Sequence, residues 1–224
     1  MHVMNEIVTV GKVYETASGV FVHTARPAVD NLSDTVRILW SDSRDRSPEQ
    51  LRKAWALMGE IAEYQGQSKD EVYEEQKLAF SAKSFELLNT KMFELFHLSD
   101  ATMSEARAFI SFLIEIILEY GIPTKEPLYA LSDDLERYTY ACLMNKRCAV
   151  CGKKPDLHHV DHVGMGYNRN EICHIGMLCL PLCREHHMEV HSIGQKAFDA
   201  KYHLVPIPID EAIVKKYKLR GEKP

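Results

Sequence analysis

The chain has 224 residues, of which 46% are hydrophobic and 26% charged, and its formal net charge at pH 7 is −5. This balance is typical of a soluble globular protein and excludes the intrinsically disordered class. The first residues lack the features of a signal peptide, and the most apolar stretch, which begins at Phe109, contains Glu115 and Glu119. We therefore expect a cytoplasmic protein with no membrane partner.

Charge is divided unevenly along the chain. Residues 1–137 contain 14 Lys or Arg and 23 Asp or Glu, a net charge of −9. Residues 138–224 contain 13 Lys or Arg and 9 Asp or Glu, a net charge of +4. Only the second part has the sign that suits a polyanion such as DNA, although a chance imbalance is the alternative interpretation.

The first part of the chain predicts a small mixed sheet. Three stretches rich in valine and isoleucine are typical of strands, and they lie at residues 6–15, 19–25 and 35–40. Gly11 and the sequence ASG at residues 17–19 supply bends.

Three capping patterns predict helices after this sheet. In each, Ser or Thr is followed three residues later by Gln or Glu. The pairs are Ser47 with Gln50, Ser68 with Glu71, and Thr102 with Glu105. Gly66 can end the first helix, and Gly121 followed by Pro123 can end the last. A fourth helix is predicted at residues 133–145, so the fold class expected for the protein is α+β.

Two modules are predicted, one at residues 1–137 and one at residues 138–224. The sequence GIPTKEP at residues 121–127 is the stretch best suited to a boundary. All six cysteines lie in the second module, between Cys142 and Cys183. In a reducing compartment, such cysteines are better explained as metal ligands than as disulfides.

A cysteine knuckle and a later Cys-His pair predict a structural zinc site. Cys148 and Cys151 have the C-x2-C spacing of a knuckle. Cys183 and His186 are three residues apart and share one side of a predicted helix. Three sulfur atoms and one imidazole nitrogen suit a closed, tetrahedral zinc site.

Two other cysteines compete as zinc ligands. Cys173 and Cys179 lie in the sequence CHIGMLC, which predicts an apolar strand. They fit less well than Cys183 and His186, because the latter pair shares a helix side. Buried thiols without a metal are a further alternative.

Four histidines predict a second, catalytic metal site. His187 and His191 are four residues apart on another side of the same helix. His158 and His159 are adjacent in an extended segment, so they point to opposite faces. If His158 joins His187 and His191, three imidazoles hold a divalent ion and His159 can serve as a general base. Ordinary surface or core histidines are the alternative.

These motifs resemble the HNH endonucleases. The knuckle, the sequence LHH at residues 157–159 and the sequence PLCREHHMEVH at residues 181–191 follow the order of their ββα-metal fold. The sequence HHVDHVGMGYNR is similar to the HNH nucleases of phages and to the Ref-type, RecA-dependent nucleases. The resemblance covers about residues 145–205. It implies a zinc-stapled ββα-metal module with His159 as the general base.

The resemblance also implies roles for other residues. His158, His187 and His191 would lie at the catalytic metal, and either Asn170 or Asn168 would be the asparagine that positions the base. The implied zinc ligands are Cys148, Cys151, Cys183 and His186, the last standing where many family members have a fourth cysteine.

The first module resembles the Orf and NinB recombination mediators of phages, which bind single-stranded DNA. The similar segments are residues 42–66 and 95–122. This likeness implies a role in DNA recombination, with a RecA-type recombinase or a single-strand-binding protein as partner. A basic stripe is possible here despite the acidic balance, and it would consist of Arg44, Arg46, Arg52 and Lys53.

The sequence therefore predicts a metal-dependent DNA endonuclease of a phage recombination system. Zn²⁺ is expected as the structural ion and Mg²⁺ or Mn²⁺ as the catalytic ion. The substrate can be single-stranded, duplex or branched DNA, and the residues expected to contact phosphates are Lys153, Lys154, Arg169 and Arg184. The alternatives are a non-catalytic zinc-binding DNA or protein adaptor, and a zinc hydrolase that acts on another substrate.

Overall fold

A computed structural model of the protein combines helices with two small antiparallel sheets. The predicted α+β class is therefore confirmed. The structure describes residues 11–16, 19–24, 44–88, 95–160 and 173–220, with backbone only for 11–24 and 85–88. The strand predicted at residues 35–40 lies outside these ranges.

The first part of the chain contains a hairpin and three long helices. The hairpin consists of β1 (Gly11–Thr16) and β2 (Gly19–Thr24), which pair antiparallel. These strands overlap the first two of the three predicted strands. The helices are α1 (Pro48–Gln65), α2 (Lys69–Leu88) and α3 (Met103–Tyr120).

Shorter elements form the rest of the chain. They are α4 (Leu128–Leu131), α5 (Leu135–Met144), β3 (Asp156–His159), β4 (Leu178–Leu182), α6 (Arg184–Ile193), α7 (Gln195–Tyr202), β5 (Ile207–Pro208) and α8 (Glu211–Tyr217). The sequence pattern did not predict α4, α7, β5 or α8. Within the described residues, no helix combines the length and the apolar character needed to cross a bilayer.

The long helices begin and end where their capping residues predict. The Ser47 hydroxyl accepts a hydrogen bond from the Gln50 amide at 3.1 Å, and the Gln50 side chain accepts one from the Ser47 amide at 3.0 Å. Thr102 and Glu105 form the same reciprocal box at the start of α3. Gly66 and Gly121 end α1 and α3 in the left-handed conformation that favours glycine.

One buried apolar cluster connects the first helices with the later elements. Phe109 is fully buried in it and packs against the rings of Phe80 and Phe96, with centroid distances of 5.2 and 4.7 Å. The same cluster includes Leu180 of β4 and Phe198 of α7. Side chains on both sides of the predicted module boundary at residue 137 therefore share one core.

The later elements build a three-stranded antiparallel sheet in the order β3-β4-β5. In its register His158 lies opposite Leu180 and His159 opposite Cys179. The sequence CHIGMLC is only partly a strand, because β4 begins at Leu178. The prediction was wrong for the first five residues of that sequence, whose chain turns at Gly176 with a φ of 85°. Glycine tolerates this left-handed conformation without steric cost.

Three of the four cations of the basic stripe predicted in the first module contact other groups of the protein. Lys53 forms an ion pair with Asp133 at 2.5 Å. Arg52 pairs with Glu49 on the same helix and with Glu126 in the segment that precedes α4. Arg46 donates hydrogen bonds to the backbone carbonyl oxygens of Leu98 and Ser99. These contacts neutralise or occupy three of the four cations, so this stripe is poorly suited to phosphate binding.

Replacing Phe109 by alanine tests the shared core. We expect Phe109→Ala to lower the free energy of unfolding by about 3–5 kcal/mol, because it removes a fully buried ring and leaves a cavity. Urea unfolding followed by circular dichroism measures the change. Tyr120→Ala is the control, since Tyr120 lies on the same helix with 64% of its surface exposed. Equal effects of the two substitutions would contradict the assigned core.

Candidate metal centres and active site

Helix α6 presents two groups of side chains that can bind metals to two different neighbours. Cys183 is its N-cap and His186 lies in its first turn. His187 and His191 follow on another side, one turn apart. β4 leads directly into this helix, and β3 pairs with β4. The sheet therefore places the His158–His159 pair beside α6.

The first group contains three cysteines and one histidine. Cys151 Sγ is 3.6 Å from Cys183 Sγ, and His186 Nδ1 is 3.6 Å from Cys148 Sγ and 3.1 Å from Cys183 Sγ. All four ligand atoms lie within 4.8 Å of one another. Tetrahedral zinc with ordinary bond lengths separates such atoms by about 3.5–3.8 Å. The four residues predicted as zinc ligands are thus together; the two separations of 3.6 Å match those around the ion, and the 3.1 Å separation of Cys183 and His186 is shorter.

Backbone hydrogen bonds shape the knuckle that holds Cys148 and Cys151. The Cys148 amide donates to the Lys153 carbonyl at 2.7 Å, and the Gly152 amide donates to the Cys148 carbonyl at 2.9 Å. Gly152 has a φ of 70°, which lets the chain turn back directly after Cys151. The Ala149 amide donates to the Pro181 carbonyl at 2.9 Å, which docks the knuckle onto β4.

Burial changes the protonation of this first group. It raises the pKa of the Cys148 thiol, because a thiolate is poorly solvated there. It lowers the pKa of His186, which favours the neutral imidazole that binds metals. A divalent cation would reverse the first effect, since it stabilises coordinating thiolates.

The competing cysteines lie elsewhere. Cys179 is fully buried in a second apolar cluster with Leu143 and Ile213, and burial raises its pKa to about 12. Cys173 is half-buried at the start of the turn before β4. Within the described part of the chain, neither belongs to a group whose ligand atoms converge.

The second group contains three histidines. The ring centroid of His158 is 4.8 Å from that of His187 and 5.3 Å from that of His191. Their ligand nitrogens all lie within 4.8 Å of one another. His187 Nδ1 is buried and has no hydrogen-bond partner among the described residues. A buried nitrogen without a protein partner suits a ligand such as a cation, because leaving it unsatisfied is costly.

Electrostatics favour the metal-binding form of His187. Burial lowers its pKa most, and the neighbouring His158 and His191 lower it further. The ring is therefore kept neutral near physiological pH, as coordination requires.

His158 also has a hydrogen-bonded support that the sequence did not predict. Its Nε2 lies 2.9 Å from Gln195 Oε1, and Gln195 Nε2 donates to Asp199 Oδ1 at 2.7 Å. Gln195 and Asp199 are four residues apart on α7, so they share a helix side. Burial raises the pKa of Asp199, whereas its bond to Gln195 and the nearby His158 oppose this effect.

His159 points to a different partner from His158, as the alternation of a strand requires. Its Nε2 lies 3.0 Å from His174 Nδ1. His174 is 7% exposed, and its backbone amide donates to the Arg220 carbonyl at 3.0 Å. No spacing pattern marks His174 in the sequence, because it lies 15 residues from His159 in a turn.

The cations expected to contact DNA differ in their surroundings. Lys153 pairs with Glu185 at 2.9 Å on the surface, so part of its charge is neutralised. Lys154 and Arg184 are exposed. Arg169, Asn168 and Asn170 fall in residues 161–172, outside the described part of the chain.

A further group of cations lies at the end of the described chain. Its members are Lys215, Lys216, Lys218 and Arg220. All are exposed, and none pairs with a carboxylate of any residue that the structure describes. We call these four residues the basic tail. The bond between the Arg220 carbonyl and the His174 amide holds its end beside the His159–His174 pair. The run KKYKLR was the sequence signal for it.

Comparison with known families adds to this geometry. A family model described as "Putative HNHc nuclease" matches residues 22–220. The chain belongs to this HNHc nuclease family. The resemblance to HNH nucleases is thus confirmed, and the match extends far beyond residues 145–205 into the first helices. No curated protein and no solved structure matches the chain.

Membership in this family indicates the class of activity and the class of substrate. The family is one of nucleases, so the substrate class is DNA, and HNH nucleases depend on metal ions. The two Cys/His groups of the described residues can each bind a metal. The roles of single residues, the identity of the ions and the biological setting go beyond this membership.

Proposed function

We propose that the protein is a metal-dependent DNA endonuclease of the HNH type, with His159 as its general base. The supporting observation is that two adjacent histidines face different partners. His158 faces His187 and His191, whereas His159 faces His174. One strand thus supplies both a metal-binding side chain and a base beside it.

His158, His187 and His191 would hold a divalent ion, Mg²⁺ or Mn²⁺. When bound there, the ion supplies Lewis-acid chemistry at the scissile phosphate and at the leaving oxygen. Three protein ligands would leave room for substrate and water at the ion, as a catalytic centre requires.

His159 would act on the attacking water. Its neutral ring accepts a proton as the water oxygen forms a bond to phosphorus. The bond between phosphorus and the 3′ oxygen then breaks, and the 3′ oxygen takes a proton from solvent, which leaves a 3′-hydroxyl and a 5′-phosphate. The contact with His174 restricts rotation of the His159 ring, and Asn170 or Asn168 stays a candidate for a second positioning group.

The Cys/His group of the knuckle would hold a structural zinc. Its ligands are Cys148, Cys151, Cys183 and His186. Four protein ligands close the coordination sphere, so this site suits a structural rather than a catalytic ion. The knuckle needs such a staple, because it contains little regular structure of its own.

Exposed cations on two sides of the site would bind phosphates. Lys153, Lys154 and Arg184 lie near the zinc knuckle and the start of α6. The end of the basic tail, at Arg220, lies beside His174, the partner of His159. Arg169 stays a candidate from the sequence. DNA that passes over His159 could then contact cations on both sides of the cleaved bond.

The biological setting proposed is phage DNA recombination. It is supported by the resemblance of the first module to recombination mediators. A RecA-type recombinase or a single-strand-binding protein would be the partner. The use of Arg46, Arg52 and Lys53 inside the fold favours protein contacts over direct DNA binding by this module.

Replacing His159 tests the catalytic assignment. We expect His159→Ala to reduce plasmid nicking in Mg²⁺ or Mn²⁺ by about 10²- to 10⁴-fold, because a general base is lost. Zinc content and DNA affinity should stay close to those of the wild type. His97→Ala is the matched control, since His97 is exposed in the helical part. Activity of His159→Ala within about twofold of wild type would exclude this role. A wild-type protein that binds DNA without ever nicking it would support the adaptor alternative.

Replacing Cys148 tests the zinc site. We expect purified wild-type protein to retain one tightly bound zinc, and Cys148→Ser to lose it and unfold the knuckle. Structural zinc contributes on the order of 10 kcal/mol in small sites. Elemental analysis and amide hydrogen exchange measure the two effects. Cys173→Ser is the control and should retain zinc; the opposite pattern would return Cys173 to the ligand set.

The salt dependence of DNA binding tests the basic tail. We expect the combined change Lys216→Ala and Lys218→Ala, made in the His159→Ala protein, to weaken binding. Each lost phosphate contact should reduce the slope of log affinity against log salt by about 0.9 on duplex DNA. Lys69→Ala is the control, because Lys69 is exposed on α2. An unchanged slope would exclude the tail as a phosphate-binding surface.

A further inference from the structure

His158 is supported from α7 by two polar side chains in series. Gln195 contacts its Nε2 at 2.9 Å, and Asp199 accepts a hydrogen bond from Gln195 at 2.7 Å. We call these two residues the Gln195–Asp199 relay. Both are half-buried, and His158 itself is only 4% exposed. The contacts are therefore partly shielded from competing water.

The relay has a direction that follows from elementary hydrogen-bond chemistry. An ionised carboxylate can only accept, so the Gln195 amide must turn its NH₂ group toward Asp199. This leaves the Gln195 oxygen toward His158, and an amide oxygen also only accepts. The His158 Nε2 must therefore carry a hydrogen. A neutral imidazole has one such hydrogen, so the lone pair available for coordination is on Nδ1.

We propose that Asp199, acting through Gln195, fixes His158 as the Nε2–H tautomer and makes Nδ1 its metal-binding atom. This inference rests on the proposed function, in which His158 is a ligand of the catalytic ion. Gln195 and Asp199 are then positioning residues. They contact neither DNA nor the ion, but they prepare one ligand before the ion arrives.

The chain is built to hold the relay in place. Gly194 joins α6 to α7 with φ 84° and ψ 152°, a conformation that is essentially restricted to glycine. Gln195 is the first residue of α7, and the fully buried Phe198 anchors that helix in the core. At the other end of α7, the Tyr202 ring lies 5.7 Å from the ring of His186. Helix α7 thus contacts the Cys/His group of the knuckle through Tyr202 and the group of three histidines through Gln195.

The tautomer can be read without activity. The protein is prepared with zinc, labelled with ¹⁵N-histidine and kept free of other divalent ions. The two ¹⁵N shifts of His158, assigned with His158→Gln, show which nitrogen carries hydrogen. We expect hydrogen on Nε2 in the wild type. The Mn²⁺ dissociation constant is measured separately by electron paramagnetic resonance.

Two relay variants give opposite expectations. In Asp199→Asn, the new amide can donate to the Gln195 oxygen, so the Gln195 amide can flip and present NH₂ to His158. The Nε2–H preference should then be lost and Mn²⁺ binding should weaken by about 10- to 100-fold. The double change Gln195→Glu with Asp199→Asn returns an acceptor to position 195 and keeps the total charge. It should restore both the tautomer and most of the Mn²⁺ affinity. Asp70→Asn, an exposed change on α2, controls for charge alone.

The outcomes separate this inference from the function on which it rests. Hydrogen on Nδ1 in the wild type would overturn the relay. So would an Asp199→Asn protein with unchanged tautomer and Mn²⁺ affinity, or a double variant no better than the single one. By contrast, the expected tautomers in a protein that neither binds Mn²⁺ nor cuts DNA would support the relay and refute the proposed endonuclease.

Discussion

The neighbouring positions of His186 and His187 impose the main constraint on this structure. Adjacent residues of a helix point about 100° apart, so α6 must face two partners at once. The knuckle lies on one side and β3 on the other. Any shift of the knuckle therefore moves the helix that carries two of the three clustered histidines. Zinc in the first site would stiffen the second, even though the two groups share no ligand.

Local spacing was sufficient to predict much of this arrangement. The capping residues gave the starts of α1 and α3, and the seven candidate ligands lie close together in the two groups that the Cys/His spacings predicted. Such features depend on residues within a few positions of one another, or on one helix side. His174, Gln195 and Asp199 could not be found this way. His174 and Gln195 contact the His158–His159 pair across 15 and 37 positions, and Asp199 reaches the pair through Gln195, so only the tertiary fold brings them together.

The acidic first part illustrates a second limit of sequence reasoning. The sequence suggested a basic stripe that includes Arg46, Arg52 and Lys53. In the structure, each of these side chains contacts an oxygen atom of a residue far along the chain. Side chains of this part also pack in the same core as Leu180 and Phe198. The helices are thus a platform for the second part as well as a unit of their own. Charge counts by segment cannot reveal such pairing.

Pro181 occupies a position of the hairpin where its missing N–H removes no bond between β3 and β4. The Val160 amide bonds to the Leu178 carbonyl, so the alternate pair His158 and Leu180 also face each other through their backbone polar groups, whereas Leu157 and Pro181 do not. The Pro181 carbonyl is turned to the other edge of β4, where it accepts the bond from the Ala149 amide of the knuckle. At a residue of β4 that faces β3, a proline would have removed one bond of the ladder. A single strand can therefore hold β3, and with it His158, on one edge and the cysteine knuckle on the other.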